Sequence, residues 1–265
     1  MTLPTMVEGL SREDVLAWCE AIDNGPFSTV AAGERIAFAN QECLVMLSAA
    51  AALTRRVRVF ATVFVLPMHD PVWLAKQAAT LDVLCGGRFV LGVGAGAREE
   101  DYRSVGASFS KRHAQMAAGV ATLRQIWQGD PAFPGAHPIG PRPLQSGGPP
   151  ILVGALAPRA IARAASWADG LAGFSLGPDM AEIERGFRAA RDAWRAAAKP
   201  SPPRLVTSFW YALGPRASSW MPTSRAIWAS SARQPSPARS ASPRRPARRP
   251  CAMRCAASNR LAATR

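Results

Sequence analysis

Short runs of β-branched, aromatic and aliphatic residues alternate with helical stretches from residue 27 to residue 213, and this alternation constrains the fold more than any other feature. The clearest strand is 57–66 (VRVFATVFVL), too short for a core helix and rich in β-branched and aromatic side chains. The runs at 27–32, 89–93, 151–153, 170–174 and 204–213 (RLVTSFWYAL) read the same way. Between them, 43–55, 72–84, 110–127, 158–168 and 179–198 read as helices. Pro71 stands where a fixed φ suits a first helical turn, and Gly86-Gly87 stand where a helix would end. Strands joined through helices pair in parallel by right-handed crossovers. Six strands are read in this way, and residues 3–6 read as the end of a seventh. A closed (β/α)8 barrel needs eight strands and about 250 residues.

The formal net charge of +14 suggests a nucleic-acid partner until it is divided along the chain. Residues 214–265 hold eleven arginines and no acid, whereas residues 1–213 hold 21 basic and 18 acidic residues. The expected organisation is therefore a barrel domain over 1–213 and a disordered basic tail, rich in Pro, Ser and Arg, over 214–265. Segments such as 236–250 (SPARSASPRRPARRP) lack the apolar content that offsets chain entropy. No aromatic interleaves the densest arginines, which argues against a specific nucleic-acid partner. The loss of acids after the last strand reads as divergence or as a reading-frame slip, because GC-rich coding DNA read out of frame yields Arg, Ala, Pro and Ser. A search of the other two frames beyond codon 213 that found no βα pattern would remove the second reading. No run reaches the roughly 18 apolar residues of a membrane span. Glu8, Glu13 and Asp14 occupy the place where a secretory signal would be basic. Five scattered cysteines argue against a disulfide framework, so the expected location is the cytoplasm.

In a parallel barrel the C-terminal ends of the strands share the face that carries the active site. Glu34, residues 67–70, Gly94 to Glu100 and Gly154 to Pro158 all follow predicted strands. The run Gly92-x-Gly94-x-Gly96 would let a ligand approach the backbone closely, or would simply make a tight turn. It is not the dinucleotide fingerprint, which must open a helix; here Ala97 to Asp101 (AREED) follows. Gly154-Ala155-Leu156-Ala157-Pro158 precedes a helix, and free N–H groups there could receive a phosphate. His69 lies on the active face, as a general acid or as a solvated loop residue. His113 reads as solvated, and His137 falls in the Pro/Gly-rich loop 131–150, of a kind that often covers a site. No metal site is expected from three scattered histidines, and Cys251-x-x-x-Cys255 falls in the tail. Phe60, Phe64, Phe89 and Trp127 read as core.

Residues 78–94 (AATLDVLCGGRFVLGVG) and 98–102 (REEDY) closely resemble the luciferase-like flavin-dependent oxidoreductases, particularly their deazaflavin-using actinobacterial branch. Leu66-Pro67 with Pro71, Ala75-Lys76-Gln77, Ile126-Trp127, residues 147–154 (GGPPILVG) and Ala168-Asp169-Gly170 extend the resemblance over about residues 3–213. The resemblance implies a (β/α)8 TIM-type barrel. In this chain the barrel would be incomplete, with the first strand truncated and the last βα units replaced by the basic tail. It also implies that Glu34 lies beside the ring system of the cofactor and that Ala61-Thr62 forms a non-proline cis peptide against it. Gly94, Ala95 and Glu100 would line the cofactor, while Gly154, Ala155 and Leu156 would face its phosphate. The family's Asp-His pair is Glu34-Arg35 here, so Glu34 and His69 are the expected catalytic residues. The expected cofactor is the 8-hydroxy-5-deazaflavin coenzyme F-420, exchanging hydride with a small organic substrate; the alternatives are FMN-dependent monooxygenation and a non-catalytic remnant. An open barrel would expose two strand edges, which homodimerisation could cover.

Overall fold

The computed structural model describes residues 1–7 and 9–209. Residues 210–213 of the last predicted strand and the 214–265 tail, with its two cysteines, lie outside the described residues. The chain begins with a helix absent from the sequence reading, α1 (Arg12–Asn24). Its start is legible in retrospect. Ser11 accepts from the Asp14 amide while the Asp14 side chain accepts from the Ser11 amide, closing a capping box. The hydroxyl and amide of Ser11 hold the Asp14 carboxyl below its ordinary value.

From there the elements alternate as expected: β1 (Thr29–Ala32), α2 (Cys43–Leu53), β2 (Arg58–Phe64), α3 (Pro71–Leu84), β3 (Phe89–Gly94), α4 (Glu99–Ser104) and α5 (Arg112–Gln128). Then follow β4 (Ile151–Gly154), α6 (Pro158–Ala164), β5 (Gly170–Ser175), α7 (Met180–Ala196) and β6 (Arg204–Phe209). Helix α3 begins with Asp70 accepting from the Trp73 amide at 2.9 Å and Pro71 in its first turn. It ends in two glycines of positive φ, with the Gly87 amide bonded back to the Asp82 carbonyl at 2.8 Å. Two boundaries differ from the sequence reading. The strand expected over 57–66 stops at Phe64 and continues as a 3-10 turn, Leu66–Met68. The glycine run of β3 does lead into a helix, α4, although a short one.

Among the described residues six strands lie parallel in the order β1-β2-β3-β4-β5-β6, forming an open, incomplete (β/α) barrel. Beyond β1, Thr2 makes a single parallel bridge to Ala31, but residues 3–6, read as the end of a seventh strand, are not a strand: Thr5 and Met6 form a turn. Alternate residues face opposite sides of the sheet. Ala31, Phe60, Val90, Leu152 and Ala172 form one small cluster inside the curl. The other face, with Val59, Phe64, Phe89, Leu91 and Ile151, packs against α1, α2, α3 and α5 in the main core. Each such apolar side chain stabilises the fold by about 1.5–3 kcal/mol on burial. Phe60, Phe64, Phe89 and Trp127 are all core residues, as expected, with Phe60 alone of the four in the inner cluster.

Loop 131–150 is not a lid. It joins the end of α5 to the start of β4 and therefore lies at the end of the barrel opposite the strand C-termini. The Asp82 carboxylate, fully buried, accepts from the Gln145 amide at 3.0 Å and from its side chain at 2.7 Å. Lys76 donates to the Gly140 carbonyl at 2.8 Å, and the Trp127 ring occupies the space beside Gly148. His137, for which a lid contact was one reading, is an exposed residue of this loop.

Candidate active site at the mouth of the barrel

Glu34 follows β1 and His69 follows the turn after β2, so parallel pairing of β1 with β2 carries both to the same end of the sheet. His69 Nε2 lies 2.8 Å from Glu34 Oε1, although the residues are 35 apart in sequence. The other carboxylate oxygen, Oε2, accepts from the Val65 amide at 2.7 Å. The Glu34 side chain is 3% exposed and that of His69 27% exposed. The imidazole also stacks on Phe64, with ring centroids 4.2 Å apart and planes 28° apart. His69 is therefore an oriented, half-buried residue and not a solvated loop histidine. The acid–imidazole pair can hold and pass a proton.

Several residues around this pair were not singled out by sequence reasoning. Tyr102 is buried, donates to the Ala95 carbonyl at 2.7 Å, and has its phenol pushed up to about 12. Burial is the main cause; the Glu34 charge adds to it and Arg112 opposes it. Asp101 accepts from the Ala37 amide at 2.7 Å and the Ile36 amide at 3.3 Å, tying the loop after β1 to α4. The Cys43 thiol is pushed well up, first by burial and then by the Glu34 and Glu42 charges. The quoted motif REEDY contained Asp101 and Tyr102, but only their burial reveals that they hold the site's frame.

The remaining expected residues are placed differently from one another. Ala61 is buried in the sheet–helix core, while Thr62 is half-buried beside the mouth. The non-proline cis bond is Thr62–Val63, one residue beyond the expected Ala61-Thr62 bond. The room left by the glycines is filled from within. A Cβ on Gly94 would meet Val63 Cγ2 at 2.7 Å, and one on Gly154 would meet Val63 Cγ1 at 2.7 Å. At Gly96, whose φ is +60°, Val65 Cγ1 would lie 2.8 Å away. The glycines thus serve close packing of β2 against β3 and β4. Glu100 is an exposed residue of α4.

Gly154 ends β4, and Ala155 and Leu156 line a cavity of about 300 Å³ together with Phe174, Phe187 and Arg185. Among the described residues no backbone carbonyl accepts from the Ala155 or Leu156 amide. Unpaired amides and Arg185 suit an anionic group, while the Glu182 carboxylate, which accepts from the Ser175 hydroxyl at 2.6 Å, lines the same cavity and opposes it. Sequence reasoning found the loop but missed Arg185, because α7 is remote from it in sequence. His113, exposed on α5, has its imidazole pKa lowered by partial burial and by Arg112 and Arg163. Among the described residues no group of three or more His, Cys, Asp or Glu is arranged for a metal ion. Among them, too, no helix is long and apolar enough to cross a membrane.

The luciferase-like monooxygenase family model matches residues 3–260, and the chain belongs to that family. An uncharacterized Mycobacterium tuberculosis protein is 35% identical over 169 residues, covering 61% of this chain and 57% of the relative. The chain thus spans less than two thirds of that relative's length. Among solved structures, the monooxygenase RslO1 from Streptomyces bottropensis has a TM-score of 0.73 at 23% identity, covering 88% of this chain and 78% of that one. The FMN-bound oxygenating component of a Pseudomonas putida diketocamphane monooxygenase has a TM-score of 0.63 at 17% identity, covering 80% and 66%. An alcohol dehydrogenase dependent on coenzyme F-420 has a TM-score of 0.61 at 20% identity, covering 76% and 66%. At these identities the structures share the fold, an incomplete luciferase-like barrel in this chain.

Proposed function

We propose that the chain is an oxidoreductase that exchanges hydride between coenzyme F-420 and a small organic substrate, with Glu34 and His69 moving the accompanying proton. The observation that carries this reading is the Glu34–His69 pair, desolvated on the acid side and reachable on the imidazole side. A neutral His69 donating Nε2–H to Glu34 presents Nδ1 as the proton acceptor. Glu34 then favours the imidazolium that forms, while the Val65 amide and the Phe64 ring hold both groups in place.

The residues at the mouth fit such a cofactor. Val63 offers an apolar surface backed by Gly94 and Gly154, beside Thr62. The free amides of Ala155 and Leu156, with Arg185, suit its phosphate. When bound, the deazaflavin supplies a ring carbon that accepts or donates hydride; the protein orients it and excludes water. The fold shared with an FMN-bound monooxygenase supports the second reading, FMN-dependent monooxygenation. Three described cysteines, Cys19, Cys43 and Cys85, are free and buried, in keeping with a cytoplasmic protein.

Titration of the full chain with F-420 and, separately, with FMN, followed by fluorescence quenching, tests this. Saturable binding of F-420 is expected. Binding of FMN alone transfers the proposal to monooxygenation, and binding of neither, without a cooperative thermal transition, leaves a non-catalytic remnant.

A further inference from the structure

We propose that Asp101 is a positioning residue for the Glu34–His69 pair, holding the loop after β1 so that the acid stays against the imidazole; the assignment deepens the oxidoreductase reading above and rests on it. Glu34 lies near the start of a loop, 33–42, that contains neither helix nor strand. Its side chain meets the Val65 amide and His69, contacts that a loop free to shift would not keep. On the N-terminal side the Glu34 amide donates to the Val63 carbonyl at 3.3 Å, a long bond. On the C-terminal side Asp101 Oδ1 accepts from the Ala37 amide at 2.7 Å and from the Ile36 amide at 3.3 Å. A carboxylate makes such bonds about twice as strong as a neutral acceptor does. Asp101 is buried, so water competes little for it.

Asp101 can do this because its own helix is held. Helix α4 is six residues long, too short to be stable alone, and no side chain caps its start. Tyr102 anchors it. The Tyr102 hydroxyl donates to the Ala95 carbonyl at 2.7 Å, and its ring meets Phe109 edge-on, with centroids 5.3 Å apart. The same ring packs with Val65, Met68 and Ile36 in a small cluster apart from the main core. Val65 supplies the amide that Glu34 accepts, and Met68 precedes His69. Helix α4 therefore engages both segments that carry the pair, the loop after β1 through Asp101 and the turn after β2 through Tyr102. The bland alternative is a buried acid that contributes only to overall stability; it predicts equal losses at both ends of the barrel.

The test reads the pair directly and needs no cofactor. In the full chain the His69 Nε2–H donated to Glu34 is followed by NMR through its rate of exchange with water, and Glu34→Gln assigns the signal. The Val57 amide, held by Asp23 at the other end of the barrel, is the internal reference. Asp101→Ala should speed exchange at His69 about tenfold or more, with Val57 staying within about twofold of the parent. Asp101→Asn, which keeps one acceptor oxygen, should fall between. Equal acceleration at both positions, or none at His69, overturns the proposal. Should Asp101→Ala fail to fold, Asp101→Asn decides: faster exchange at His69 with Val57 unchanged supports the proposal, and any other result overturns it. A parent chain without a Glu34-dependent signal removes the pair and both readings with it, whereas a signal indifferent to Asp101 ends the positioning role only. If the dependence on Asp101 holds while neither F-420 nor FMN binds, the oxidoreductase reading fails and the positioning role stands.

Discussion

At the end of the barrel where strands begin, charged side chains fasten backbone segments to one another; at the end where strands stop they do so too, but there an acid and an imidazole also face each other. Arg88 makes five hydrogen bonds, to the carbonyls of Cys85, Val57, Ala51 and Thr54 and to the Thr54 hydroxyl. Asp23 accepts the amides of Arg55, Arg56 and Val57, fastening the end of α1 to the start of β2. Asp169 accepts from the Ile151 amide and from Arg124. These contacts pin loops to helices and leave little for chemistry. Across the barrel, His69 keeps one ring nitrogen uncommitted to Glu34. The difference teaches that the lower end maintains the fold while the upper end keeps polar capacity for a ligand, the division expected of this architecture.

The largest effect should come from breaking the lower end. Arg88→Ala leaves four carbonyls short of a donor and should lower stability by about 3 kcal/mol, read from the urea midpoint. A loss below about 1 kcal/mol would mean that the lower end is no better fastened than the upper. Glu34→Gln sharpens the contrast from the other side. Turnover with whichever cofactor binds should fall on the order of a hundredfold, with the thermal midpoint nearly unchanged. A large drop in melting temperature with turnover intact would instead make Glu34 a structural residue. The smallest effect concerns Asp23. Burial would raise its carboxyl, but the amides of Arg55, Arg56 and Val57 outweigh this, with Arg56 adding to the effect, and hold it below its ordinary value of 3.8. A carboxyl so depressed stabilises the fold above its unfolded pKa, and that contribution disappears as pH falls through the folded value. Asp23→Asn should therefore cost about 1 kcal/mol near neutral pH. The gap to the parent chain should close in acid, and a gap independent of pH would remove the ionised carboxylate from the account.

Much of the fold was legible because burial on both faces of a parallel sheet leaves apolar runs such as 57–66 and 89–93. The helix at Arg12–Asn24 was not legible from its apolar pattern although its Ser11–Asp14 cap was present, because only Cys19 and Ile22 of its residues are buried. For the candidate site, the position of Glu34 and His69 at strand ends could be read; their 2.8 Å contact could not. The glycines at 92, 94 and 154 were visible as places where something approaches the backbone. That Val63 and Phe60 approach them, and not a ligand atom, depends on how β2 lies against its neighbours.

By itself the sequence determined the order and kind of the elements after residue 27 except α4 and the 3-10 turn after β2, together with the parallel connectivity and the membership in the luciferase-like family, because periodicity, caps and motif residues are local properties of the chain. Tertiary structure alone decided that Glu34 meets His69, that Arg185 joins the loop after β4, and that Gln145 of loop 131–150 meets the buried Asp82. Those outcomes depend on register, strand curl and side-chain direction, which are set by packing between segments remote in sequence and are written in no single one of them.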